Sequence, residues 1–89
     1  MTNETNQPVE VIRDGIDGRL KATIWSNDSD RGVFYSIEFS RTYDKDGELQ
    51  DSRTFTGSEV LQISRLAEKA YDRISELTAR EKEERKRAA

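Results

Sequence analysis

Apolar residues fall at every second position through Leu20, Ala22 and Ile24, while Arg19, Lys21, Thr23 and Trp25 occupy the alternate positions. A period of two is the signature of a strand with one buried face. The run from Val33 repeats it, with Val33, Tyr35, Ile37 and Phe39 on one side and Phe34, Ser36, Glu38, Ser40 and Thr42 on the other. A shorter run, "VEVI" (Val9 to Ile12), predicts a strand before these two. "LQDSRTFT" (Leu49 to Thr56) predicts one after them, with Phe55 on the apolar side and Ser52 and Thr54 opposite. Turn formers separate the runs: the two Asp-Gly steps of "RDGIDG", then "NDSDRG" from Asn27 to Gly32, then the longer, charged "YDKDGELQ".

The period then changes to the helical one. "TGSE" offers a capping box between Thr56 and Glu59, so a helix is expected from Gly57 or Ser58. Val60, Ile63, Ala67, Ala70, Ile74 and Leu77 recur at spacings of three and four, with Leu61, Leu66 and Tyr71 on the flanks. That stripe is wider than one sheet requires, and the six stripe residues are read as the seam of a homodimer. Beyond Leu77, "TAREKEERKRAA" keeps helix formers but loses the apolar stripe, which predicts a solvated, fraying extension. The division expected is a flexible lead-in over 1–8, one α+β domain over 9–78 and a polar helical tail over 79–89. Four strands followed by one long helix predict an antiparallel sheet with the helix on one face, ββββα.

Composition narrows the function more than the fold. The chain of 89 residues has neither cysteine nor histidine, which excludes disulfides, the usual zinc ligands and the commonest acid/base catalyst. Its five glycines are scattered, without a phosphate-binding loop. No enzyme activity, cofactor or metal is expected. Nothing resembles a signal peptide or a membrane span, so a cytoplasmic protein is expected. The net charge of −3 gives no global attraction to phosphate, but four acids against one base in residues 1–18 put the acidic excess at the N-terminal end.

The surplus aromatics carry the functional expectation. On the face away from the helix, Arg19, Lys21, Trp25, Phe34 and Arg53 offer stacking surfaces and cations for an unpaired strand. Arg41, Tyr43 and Lys45 are read as joining them near the third turn, where strand parity is not expected to confine them. Glu38 lies on the same face and counts against this reading. The alternative stays open that Trp25 and Phe34 only pack, and that Arg19, Lys21 and Arg53 pair across strands with Glu38 and Asp51. The face would then serve a protein-interaction or scaffold module.

The strand order, the Asp-Gly turn before the fourth strand and the capped terminal helix resemble the single-stranded DNA-binding domain of PC4-like transcriptional coactivators, an architecture that the Whirly proteins share in duplicated form. The resemblance spans Val9 to Leu77. It implies a dimer built through the helices, with the opposite sheet surfaces holding single-stranded DNA or RNA, in a transcription or DNA-maintenance accessory role. "LKATIW" and "FYSIEFSRTY" also resemble short bacterial proteins from which no activity carries over.

Overall fold

The alternation in the two central runs is the pleat of two long paired strands. The structure, a computed structural model, describes residues 7–14 and 18–88. In chain order the elements are β1 (Gln7–Arg13), β2 (Leu20–Ser29), β3 (Gly32–Lys45), β4 (Glu48–Ser52) and α1 (Gly57–Ala88). The strands pair antiparallel in the order β1-β2-β3-β4, and α1 crosses one face over β2, β3 and β1. This is the α+β, ββββα arrangement that the periodicity predicts.

Pairing runs closer to the turns than the turn-forming residues suggest. Asp46 and Gly47 have φ of 55° and 85°, so they form a two-residue loop of the left-handed kind whose twist matches the flanking strands. Lys45 therefore pairs directly with Glu48, and the Gly47 amide donates to Asp44 Oδ1 at 2.9 Å. Most of "YDKDGELQ" is strand, not a long turn. In the same way β2 and β3 meet at a turn of Asp30 and Arg31, with Ser29 opposite Gly32. β1 starts at Gln7, two residues before the expected strand. Pro8 is compatible with it because β1 is an edge strand, whose outer side has no ladder to supply. β4 is shorter than expected, and Phe55 reaches the core from the segment between β4 and α1. Of the turn expected in "RDGIDG", residues 15–17 lie outside the described residues; at its flanks the Asp14 amide donates to the Leu20 carbonyl at 2.8 Å.

The buried core is small: Leu20, Ala22 and Ile24 of β2 against Leu66, Ala70 and Leu77 of α1. Ile12, Tyr35, Ile37, Phe39, Phe55, Ile63 and Ile74 pack around them. The helix is thus rotated from the sequence reading, with Leu66, expected on a flank, at the centre of the buried face. The six residues of the expected dimer seam are divided by this rotation. Ala70 and Leu77 are buried in this chain's own core, and Ile63 and Ile74 are partly buried against it. Val60 is exposed and Ala67 half-buried, on the outward flank that also carries exposed Tyr71.

α1 is capped at its start and tied to the sheet further along. At its start the Thr56 amide donates to Glu59 Oε1 at 2.8 Å, one arm of the capping box, and this bond above all holds the Glu59 carboxyl below its ordinary pKa. The Glu59 amide turns to the Thr56 carbonyl instead of its hydroxyl. Midway, Arg73 Nε donates to Glu10 Oε1 of β1 at 2.6 Å, and Nη1 reaches Glu76 at 2.8 Å. The helix continues unbroken through the stretch expected to fray, bringing Glu81 and Glu84 close enough to act on Tyr35. The fold measures 53 × 31 × 17 Å, with a radius of gyration of 15.6 Å. A compact domain of this length would have about 12 Å. The shape is two layers deep, and among the described residues nothing covers the second face of the sheet.

Candidate nucleic-acid interface

Strand register decides what the open face displays. Across β2 and β3, Lys21 stands opposite Ser40, Thr23 opposite Glu38, Trp25 opposite Ser36 and Asn27 opposite Phe34. β1 adds Val11 beside Thr23 and Arg13 beside Lys21, and β4 adds Asp51 beside Thr42. The result is a face in two halves.

The half nearer the β2–β3 turn is aromatic. Trp25 and Phe34 are diagonal neighbours, a relationship in which large side chains can present adjacent surfaces. Phe34 is 52% exposed and Val11 is exposed beside them. Asn27 fastens this corner, its Nδ2 lying 3.1 Å from Ser36 Oγ and 3.4 Å from the Phe34 carbonyl. The indole N–H of Trp25 has no hydrogen-bond partner among the described residues.

The other half is charged, and its charges are paired. Lys21 Nζ lies 3.3 Å from Asp51 Oδ2, and Thr42 Oγ1 donates to Asp51 Oδ1 at 3.0 Å. Together these hold the Asp51 carboxyl below its ordinary range, the Thr42 bond contributing most. Arg53, just beyond β4, pairs with Glu38 of β3. Between the halves is a recess of about 250 Å³, with Trp25 and Thr23 on one side, Lys21, Asp51, Glu38 and Arg53 around it and Ser40 at its floor.

Of the eight residues read as a nucleic-acid surface, the open face unites Lys21, Trp25, Phe34 and Arg53. It does not include Arg41, Tyr43 and Lys45. β3 stays regular through Lys45, so parity does confine these three, and to the helix side. Arg41 Nε donates to the Thr54 carbonyl at 3.3 Å, lies 3.5 Å from Glu59 Oε1 and sets its guanidinium 5.4 Å from the Tyr43 ring centre. Arg19 precedes β2; its carbonyl accepts the Thr42 amide at 2.9 Å and its charge helps to hold Glu59 ionised. The alternative in which Arg19, Lys21 and Arg53 pair with Glu38 and Asp51 is met at Lys21–Asp51 and Arg53–Glu38. Sequence reading missed the burial of Ser40. Its parity was legible, but its burial depends on the Lys21, Glu38, Asp51 and Arg53 side chains that line the recess with it.

Among the described residues no three potential ligands converge as a metal site would require, and no helix is long and apolar enough to cross a membrane. No protein-family model, curated protein or solved structure matches the chain.

Proposed function

We propose that the open sheet face binds unpaired DNA or RNA, in a cytoplasmic accessory protein of transcription or DNA maintenance. One observation carries the reading: Trp25 and Phe34 stand as diagonal neighbours on a face that nothing in the described chain covers. Aromatic surfaces at that spacing suit successive unstacked bases, whereas a duplex hides the faces of its bases. The sheet edges support use of the face over strand addition. β1 carries Pro8 and a register shift next to it, and β4 is five residues long with Glu48 and Asp51 in it; both are poor templates for another strand. Fluorescence anisotropy with a labelled oligonucleotide, single-stranded and as duplex, tests the proposal. Trp25→Ala and Phe34→Ala should each weaken single-strand binding by about 1–3 kcal/mol, and equal affinity for both forms would refute it.

A second reading has its own support. Lys21 and Arg53 are already paired with carboxylates and the net charge is −3, which favours a protein partner over phosphate. In that reading the chain is a dimeric interaction or scaffold module, its self-contact moved from the buried stripe to the outward flank of Val60, Ala67 and Tyr71. The oligonucleotide titration separates the two, because only the first expects a single strand to bind, whereas Val60→Lys should weaken self-association through this flank in either.

A further inference from the structure

Ser40 is a polar group that the ion pairs of the open face leave unexplained. The residue is 7% exposed and lines the recess, and its hydroxyl forms no hydrogen bond among the described residues. Buried hydroxyls without a partner are uncommon in folded proteins, and one at the floor of a surface recess is placed to meet a ligand atom. Glu38 and Trp25 are diagonal neighbours, since Thr23 pairs with Glu38 and Trp25 with Ser36. A planar ring stacked on Trp25 therefore turns its edge toward the Glu38–Arg53 pair.

We propose that this recess holds one base of an unpaired strand and selects guanine, an inference that rests on the nucleic-acid reading above. From its Watson–Crick edge round to its Hoogsteen edge, guanine presents two N–H donors, N2 and N1, followed by two acceptors, O6 and N7. A carboxylate beside a guanidinium is the complement of that order. Glu38 accepts from N1 and N2, and Arg53 donates to O6 and N7, both through charge-assisted, bidentate bonds. Lys21 and Ser40 complete the rim and floor. Cytosine matches in part, with one donor for the carboxylate and two acceptors for the guanidinium. Adenine and thymine alternate donor and acceptor and fit neither arm fully. Glu38, an obstacle to phosphate, becomes the group that reads the base. The recess of about 250 Å³ suits a single heterocycle.

The test is competition among labelled oligothymidines that carry one central guanine, cytosine, adenine or thymine. Guanine should bind about tenfold or more tightly than thymine, with cytosine between. Glu38→Gln and Arg53→Gln should each bring the guanine oligomer down to the thymine level; Arg53 is well exposed, so its variant keeps the fold even should the other not. Four equal affinities, or a guanine preference that survives both substitutions, would overturn the base pocket while leaving single-strand binding intact. Failure of every oligomer to bind would overturn both.

Discussion

Arg85, in the last turns of α1, lies against Gly32 at the β2–β3 turn: a Cβ on Gly32 would stand 2.9 Å from Arg85 Nη1. Gly32 has φ of 115°, a conformation side-chain-bearing residues rarely adopt. The polar end of the helix is therefore docked on the sheet. Gly32→Ala should cost about 1–3 kcal/mol, chiefly from backbone strain, measured as a lower urea midpoint with unchanged slope.

The same docking sets a pH dependence at Tyr35. Burial first, and then the charges of Glu81 and Glu84, push its phenol above the ordinary tyrosine value. A group raised on folding contributes stability that is complete below its unfolded pKa and lost as pH rises through the folded one. Stability should thus decline in the alkaline range above pH ~10, and Glu81→Gln with Glu84→Gln should lower the Tyr35 pKa without restoring the ordinary value. Ultraviolet titration of the phenolate measures this.

Asp51 has the opposite sign. Its depressed carboxyl pKa contributes stability above the ordinary carboxylate range that is lost as pH falls through the folded value. Thr42→Val should raise that pKa more than Lys21→Ala does, because the Thr42 hydrogen bond is the larger cause. Carboxyl carbon shifts followed by NMR decide between the two.

Leu66 is 1% exposed at the centre of the contact between helix and sheet. Leu66→Ala should cost about 2–5 kcal/mol, a large share of the stability of so small a core. Leu61→Ala, at a residue 74% exposed, should stay within about 0.5 kcal/mol. Chemical denaturation of the two variants tests the observed helix rotation.

How much of this was legible follows from where the information lies. Strand faces in β2 and β3 depend only on alternation, so Leu20, Ala22 and Ile24 could be assigned to the core from the chain alone. The helix was legible in length and type but not in rotation. Val60, Leu61, Leu66 and Tyr71 are all apolar, and only the sheet beneath selects Leu66. Arg41, Tyr43 and Lys45 were misplaced because an Asp-Gly pair in a two-residue loop lets β3 keep its parity to the last residue. The pairs Lys21–Asp51 and Arg53–Glu38 were readable as one of two outcomes. The recess over Ser40 was not, since it exists only when β2, β3 and β4 lie side by side.

The most direct measurement is a map of NMR shift changes on adding a single-stranded oligonucleotide, read first at the indole N–H of Trp25, the one tryptophan in the chain. Single-strand binding on the open face should concentrate the changes at Trp25, Phe34, Ser36, Glu38 and Ser40, with Leu61 and Tyr71 on the helix unmoved and with duplex DNA giving far smaller changes at the same sites. A spectrum unmoved at low salt, or changes gathered on the outer face of α1, would contradict it.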